Sequence, residues 1–148
     1  SYGPDDVRLD GALTVAGERG IPVVVHVGHA PSGRTAGEEL DALGVAAARH
    51  PDTTFVIAHC AHPATAAAMD LLARHDNLMA DLTPVVIELV DLDADQLEAH
   101  HHRLLLGTDM PNTAVPAGRV IEWLQRSDLS AEAYTAITGG NARRLVTG

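Results

Sequence analysis

The sequence predicts an α/β fold in which short parallel strands alternate with helices. Apolar runs of strand length carry this prediction, at residues 21–25, 55–58 and 104–108. Short, nearly continuous apolar runs are typical of buried parallel strands that helices cover on both faces. The segments between the runs have helical patterns, so strand and helix repeat along the chain. Each run is followed by a side chain able to bind a metal, and these are His26, His59 and Asp109.

The predicted helices begin or end at residues with known local preferences. They cover residues 5–19, 35–49, 63–74, a short stretch from 93, 116–126 and 130–145. Gly20 ends the first helix, and Pro22 disfavours helix at the residue before it, so a strand up to His26 follows. Thr35 and Glu38 have the spacing of a capping box, in which each side chain satisfies a free amide of the other residue.

The second half of the chain repeats this pattern. Pro51 stops the second helix ahead of its strand, and Pro63 suits the first turn of the third helix. Residues 77–82 predict the third strand, and Asp93 begins another capping box before the fourth. Four strand–helix units form either half of an eight-unit barrel or a small open sheet, whose bare edges need a partner or a cover.

Composition indicates one ordered domain over residues 1–148. The chain is 46% hydrophobic and its mean hydropathy is +0.04. Its apolar runs are far shorter than the roughly 20 residues of a membrane span, and no signal peptide is evident. Cys60 is the single cysteine, which suits a reducing compartment. We therefore expect a cytoplasmic protein without a membrane partner.

The charge pattern excludes several function classes. The chain has twenty acidic and ten basic residues and therefore a net charge of −10. A nucleic-acid partner is not expected, because this charge repels the phosphate backbone. All ten basic residues are arginine, and without lysine there is no Schiff-base nucleophile and no carboxylated lysine to bridge two metals. Neither a Gly-x-Ser-x-Gly elbow nor a glycine-rich phosphate loop occurs, so serine-hydrolase and nucleotide-binding functions lose support.

Strand-end side chains carry the candidate chemistry. The carboxyl ends of parallel strands meet at one rim, so His26, His59 and Asp109 should lie together there. Two histidines and an aspartate are the ligands that a hydrolytic metal site uses. His100, His101 and His102 precede the last strand and should lie at the opposite rim.

Ordered motifs over nearly the whole chain resemble a known family. The segments concerned are residues 20–26, 51–59, 77–83, 103–111 and 140–145. They are similar, in this order, to strands five, six, seven and eight and the closing Asn-Ala-Arg-Arg segment of the amidohydrolase-2 family. That family consists of metal-dependent TIM barrels and includes hydrolases and non-oxidative decarboxylases. The resemblance implies a parallel (β/α)4 half of a TIM (β/α)8 barrel, comprising strands five to eight, as a C-terminal half-barrel.

The same resemblance implies roles for the strand-end residues. His26 would be a metal ligand, and His59 would bind metal or polarise the substrate and stabilise a developing oxyanion. Asp109 would ligate the metal and accept a proton from its bound water. A divalent ion is implied, with zinc expected and manganese also compatible with these ligands.

The family's first-strand His-x-His pair has no counterpart in this sequence. Two protein ligands are too few for a tight zinc site, which normally takes three or four. We therefore expect either that the chain is part of a larger protein, or that a homodimer or a complementary half-barrel completes the site. A vestigial metal site is the remaining interpretation.

Loop residues supply candidates for substrate contact. His29 and His62 follow their strands and are candidates for contact with substrate or a metal, and Arg34 is expected either to grip a substrate carboxylate or to be solvated. Asp81 would cap the turn after its strand, while Cys60 is expected to be a small buried residue without reactivity. Asn141 is expected to bind backbone.

Taken together, the sequence predicts a metal-dependent hydrolase of the amidohydrolase superfamily. Its reaction would be hydrolysis or non-oxidative decarboxylation of a small carboxylate, lactone or amide. One alternative is a TatD-like metal-dependent deoxyribonuclease, against which the net charge argues. The other is a non-catalytic half-barrel that dimerises or binds a partner.

Overall fold

The computed structural model describes residues 3–28, 33–85 and 89–147, and the predicted alternation of strand and helix is present there. The strands are β1 (Val23–His26), β2 (Phe55–Ala58), β3 (Leu78–Asp81) and β4 (Leu104–Leu105). The helices are α1 (Asp10–Glu18), α2 (Ala36–Arg49), α3 (Thr65–Arg74), α4 (Ala94–His100), α5 (Ala117–Arg126), α6 (Ala131–Thr135) and α7 (Asn141–Thr147). No helix in these ranges is long and apolar enough to span a membrane.

The four strands form one parallel sheet in the order of the sequence, β1-β2-β3-β4. Val24 pairs with Val56, which in turn pairs with Met79, and Ala80 pairs with Leu104. A helix or helices follow each strand, as expected for consecutive right-handed strand–helix units. The predicted parallel α/β class is confirmed.

Local signals fixed several helix boundaries as predicted. The Thr35 hydroxyl accepts from the Glu38 amide at 3.2 Å, and the Glu38 carboxylate accepts from the Thr35 amide at 2.7 Å. The bond from the Thr35 amide, followed by one from the Thr35 hydroxyl to the same carboxylate, lowers the pKa of Glu38. Asp93 and Gln96 form the second capping box before α4.

Two predicted helices are not continuous in the structure, and the third begins at Thr65 instead of Pro63. The first does not run unbroken from residue 5, because a short 3-10 turn capped by Asp6 precedes α1. The last is divided, since a π-helical turn at Ala136–Gly140 separates α6 from α7. Gly139 has an extended, non-helical φ within that turn, and glycine has little intrinsic preference for helix.

The expectation that helices cover both faces of the sheet is wrong. On one face, Phe55, Ile57 and Leu78 belong to the main core with the apolar residues of α2 and α3. On the other face, Val56, Met79 and Leu105 form a separate small cluster, whose helical contact is the partly buried Leu145 of α7. Val24, in the same row as Val56, is 65% exposed. We call this second face, which is buried at Val56, Met79 and Leu105 but exposed at Val24 of β1, the open face.

The two edges of the sheet are also unequal. At the outer edge of β4, the Leu106 amide donates to the Ile137 carbonyl at 3.1 Å, and the Leu104 carbonyl accepts from the Asn141 side chain at 2.7 Å. At the outer edge of β1 lies a cavity of about 320 Å³, lined in part by β1 and by Arg34. The C-terminal helical segment thus covers one edge, while the other edge borders an open cavity.

Candidate active site

His26, His59 and Asp109 all lie at or just beyond the carboxyl ends of their strands. His26 is the last residue of β1, and His59 directly follows β2. Their rings are in edge-on contact, with centroids 5.2 Å apart and planes at 70°. Asp109 follows β4 after three residues that belong to no strand or helix. The parallel sheet thus directs all three to the same rim, and it brings the two histidines into contact.

The backbone at this rim is held in an uncommon conformation. His59, Cys60 and Ala61 have φ values of 53°, 47° and 56°, and Asp109 has a φ of 49°. Residues other than glycine rarely adopt this left-handed region, and such residues cluster at functional sites. The turn after β2 takes His59 out of the strand direction as soon as the strand ends.

A carboxylate on the neighbouring strand holds His59 in place. Asp81 Oδ1 accepts from the His59 amide at 2.9 Å and from the Thr83 amide at 3.1 Å, and it also accepts from the Thr83 hydroxyl. His59 Nδ1 lies 2.9 Å from the Thr83 hydroxyl and 3.3 Å from the Thr83 carbonyl oxygen. Asp81 caps its turn as predicted, and it also fixes the histidine.

The loop after β4 folds around Asp109. The Asp109 carbonyl accepts from the amides of Asn112 and Thr113 at 2.6 and 3.1 Å, and Asn112 Nδ2 donates to Asp109 Oδ1 at 3.1 Å. Close packing links this loop to β3, because a Cβ atom on Gly107 would overlap the methyl group of Thr83. The ends of β2, β3 and β4 are therefore connected through Thr83.

The predicted substrate residues have different surroundings. Arg34 Nη1 lies 3.1 Å from Asp5 Oδ1, and Arg34 lines the cavity at the edge of β1 together with His26. The His62 amide donates to the His59 carbonyl at 2.9 Å, so His62 closes the turn that starts at His59. His29 lies outside the described residues. The assignment of these three to substrate stays a prediction.

Other polar residues singled out from the sequence lie where they were expected. The turn His101–Arg103 precedes β4 at the amino rim, opposite Asp109. Cys60 is fully buried and its thiol donates to the Asp81 carbonyl at 3.2 Å. Burial, with the nearby Asp81 carboxylate, raises the pKa of this thiol far above its usual range, which disfavours the nucleophilic thiolate form.

The donors on the rim suit a divalent transition metal, but they do not complete a site. Imidazole and carboxylate groups are the usual ligands of zinc and manganese. Among residues 3–28, 33–85 and 89–147, no group of three His, Cys, Asp or Glu residues is arranged to hold a metal ion. A metal bound by His26 and His59 would need further ligands from outside this part of the chain.

Thr83 is the residue whose importance the sequence reading missed. It is the second residue after Asp81, a spacing at which an aspartate often bonds the backbone amide two residues on. That signal predicts the turn itself. It does not predict the contact with His59, because the contact depends on the left-handed turn after β2.

Comparison with known proteins agrees with this fold. The family model described as amidohydrolase, of the amidohydrolase-2 group, matches residues 1–147. No curated protein matches the sequence significantly.

Solved structures with the same fold include larger barrels. An uncharacterized TIM-barrel protein from Bordetella bronchiseptica is 24% identical with a TM-score of 0.79, and the match covers 98% of this chain and 52% of that one. Amidohydrolase 2 from Bifidobacterium longum subsp. infantis is 16% identical with a TM-score of 0.72, over 96% of this chain and 56% of that one.

A 2,6-dihydroxybenzoate decarboxylase, solved in complex with 2,6-dihydroxybenzoate, is 14% identical with a TM-score of 0.69, over 97% of this chain and 56% of that one. The chain thus spans about half the length of the structures it matches. It belongs to the amidohydrolase-2 family and folds as four consecutive strand–helix units of a TIM barrel.

Proposed function

We propose that this chain carries part of the active site of a metal-dependent enzyme that hydrolyses or decarboxylates a small carboxylate, lactone or amide. The observation that supports this best is the contact between His26 and His59 at adjacent strand ends, in a chain of amidohydrolase type. Two structures with the same fold are a 2,6-dihydroxybenzoate decarboxylase and a 4-oxalomesaconate hydratase. Both names describe chemistry on carboxylated substrates, which is the substrate class we favour.

His26 and Asp109 are the residues we propose to hold the metal, with His59 as a further ligand or as a substrate contact. Zinc is our first choice and manganese the second, since both accept imidazole and carboxylate ligands. When bound, such an ion supplies a Lewis acid that polarises a carbonyl group and makes water more acidic. Cys60, the single cysteine, is consistent with a reducing cytoplasm as the place of this reaction.

The side chains of this chain would orient the substrate and move a proton. Asn112 donates to Asp109 Oδ1 and so orients the carboxylate that we propose takes up and returns a proton. His59, held by Asp81 and Thr83, would offer the Nε2 lone pair to the metal or, with its ring doubly protonated, would donate a hydrogen bond from Nε2 to a substrate oxygen on which negative charge develops. Arg34 would bind a substrate carboxylate in place of Asp5, and His29 and His62 would contact the substrate from their loops.

We also propose that another half-barrel completes this site, either a second copy of the chain or a complementary segment. Two features support the proposal. The open face of the sheet exposes Val24, and the edge of β1 borders a cavity lined by apolar residues such as Val23 and Val25. An open strand edge is a template for pairing with another strand. The partner would supply the missing metal ligands.

The TatD-like deoxyribonuclease and the non-catalytic half-barrel are the competing functions. The net charge of −10 disfavours the first, because DNA is a polyanion. The second, the non-catalytic half-barrel, is favoured by the absence of a group of three metal-binding side chains in the described ranges. A DNA-cleavage assay with added zinc or manganese separates the first from our proposal, and metal binding separates the second.

Native mass spectrometry tests the proposal directly. The chain is purified without a metal column and titrated with zinc or manganese, as wild type and as His26→Gln. The control is His102→Gln, at the opposite rim. We expect a metal-bearing dimer, at least about tenfold weaker metal binding in His26→Gln, and no change in His102→Gln. A folded wild type that stays metal-free with both zinc and manganese overturns completion of the site by a second copy of the chain and favours the non-catalytic half-barrel.

A further inference from the structure

The hydrogen bonds around Thr83 determine which nitrogen of His59 carries a proton. Asp81 Oδ1 takes three donors, namely the His59 amide, the Thr83 amide and the Thr83 hydroxyl. An ionised carboxylate only accepts hydrogen bonds, so the single hydroxyl proton of Thr83 points to Asp81. The Thr83 oxygen is then left as an acceptor toward His59.

His59 Nδ1 faces two acceptors. It lies 2.9 Å from the Thr83 hydroxyl oxygen and 3.3 Å from the Thr83 carbonyl oxygen. A carbonyl cannot donate, and the hydroxyl has already used its proton, so Nδ1 must be the donor. In a neutral imidazole one nitrogen is protonated and the other is not. The neutral ring of His59 therefore has its proton on Nδ1 and a lone pair on Nε2.

Packing on the far side of Thr83 keeps this arrangement in place. The Thr83 methyl group lies where a side chain at residue 107 would begin, against Gly107. A rotation of the Thr83 side chain would give up this packing and the bonds to Asp81 and His59 together. The position of the hydroxyl is thus fixed from two sides, by Asp81 at the end of β3 and by Gly107 after β4.

We propose that Thr83 is a positioning residue that locks His59 as the Nδ1-protonated tautomer and presents Nε2 to the carboxyl rim. Histidines that act on metals or substrates commonly donate their other ring nitrogen to a carboxylate or carbonyl, which sets the tautomer and the ring orientation. Here the Thr83 hydroxyl lies between the two groups: it accepts from His59 Nδ1 and donates to the Asp81 carboxylate. The relevance for catalysis rests on the function proposed above, but the tautomer itself does not.

Nitrogen-15 NMR of histidine-labelled protein tests the inference without metal or substrate. Spectra are recorded in the presence of a chelator, at a pH where His59 is neutral, and His59→Gln identifies its signals. Wild type should show a protonated Nδ1 and an unprotonated Nε2. Thr83→Ser, which keeps the hydroxyl, should give the same pattern. Thr83→Val, which keeps the shape, should show a larger share of the Nε2-protonated form.

Two results would overturn the inference: a protonated Nε2 in neutral wild-type His59, or an unchanged tautomer ratio in Thr83→Val. The first result stands even if the valine variant does not fold, because it needs only wild type. Loss of metal binding would contradict the proposed function and leave this measurement unaffected. The two proposals therefore fail separately.

Discussion

The side-chain amide of Asn141 donates a hydrogen bond of 2.7 Å to the carbonyl oxygen of Leu104, at the outer edge of β4. The same amide donates to the His101 carbonyl at 2.6 Å, and Asn141 Oδ1 accepts from Arg144 at 2.8 Å. Asn141 is 1% exposed. A single buried side chain thus ties the start of α7 to the start of the last strand.

Replacing Asn141 should destabilise the chain. In Asn141→Ala, the buried carbonyl of Leu104 and the partly buried carbonyl of His101 lose their donor, and leaving a buried acceptor without a donor costs about 1–3 kcal/mol. We expect the free energy of unfolding, measured by urea denaturation, to fall by about 2–4 kcal/mol. Arg143→Ala, at an exposed site on the same helix, is the control and should stay within about 0.5 kcal/mol of wild type. Equal stabilities for the two variants would contradict the role of the amide.

Gly107 and Thr83 should be energetically coupled. Gly107→Ala places a methyl group against that of Thr83 and should cost about 1–3 kcal/mol as overpacking. Thr83→Ser removes the opposing methyl group, so the double variant should recover part of the loss. A double-mutant cycle in urea measures this coupling. Gly118→Ala, which meets no atom within 4 Å on α5, is the control and should not destabilise the chain. Additive effects at 107 and 83 would refute the contact.

Acid should weaken the fold through the amino-rim histidines. Burial, followed by the nearby Arg103, lowers the pKa of His100 and of His102 from the reference of 6.5. For each histidine, at pH values between its lowered pKa in the folded chain and its reference pKa in the unfolded chain, the unfolded chain binds more protons than the folded one. These two histidines therefore do not reduce the free energy of unfolding above about pH 6.5, and they reduce it progressively as the pH falls below that value.

The paired variant His100→Gln/His102→Gln should have a smaller loss of unfolding free energy between pH 7.5 and pH 5.5 than wild type has. Urea denaturation at both pH values measures it. An equal loss in the two proteins would exclude these histidines as a source of the pH dependence.

Association through the open face should depend on Val24. This side chain is 65% exposed in the isolated chain, so Val24→Lys should leave its stability nearly unchanged. In a completed barrel the new charge would be buried without a partner, so dimer formation should weaken by at least about tenfold. Analytical ultracentrifugation measures the dimer fraction. Val45→Lys, on the helical side and 53% exposed, is the control. Equal dimer fractions in both variants would place the interface elsewhere.

Sequence reasoning predicted the elements more completely than the site. The Thr35–Glu38 capping box is a local interaction over four residues, so its pattern was sufficient to predict it. The last helix is divided where Gly139 leaves the helical conformation, and a helical pattern does not reveal this. The open face of the sheet was missed because a strand buried by helices and one that faces a barrel interior have the same apolar composition.

At the carboxyl rim, too, some contacts were predictable from the sequence and others were not. Polar residues at the ends of apolar runs predicted that His26 and His59 share a rim, since parallel strands leave few other arrangements. The bond between Thr83 and His59 could not be predicted, because it joins residues 24 positions apart through a turn that no local preference specifies. Contacts set by the sheet are readable from the sequence, whereas those set by loop conformation are not.

The left-handed backbone of residues 59–61 also limits how this rim can evolve. β-Branched residues fit that conformation poorly, and glycine, asparagine, aspartate and histidine fit it best. His26, by contrast, ends an extended strand whose backbone accepts any side chain except proline with ease. A new activity on this scaffold is therefore more accessible by substitution at residue 26 than along the turn at 59–61, which should remain the slowest part of the rim to diversify.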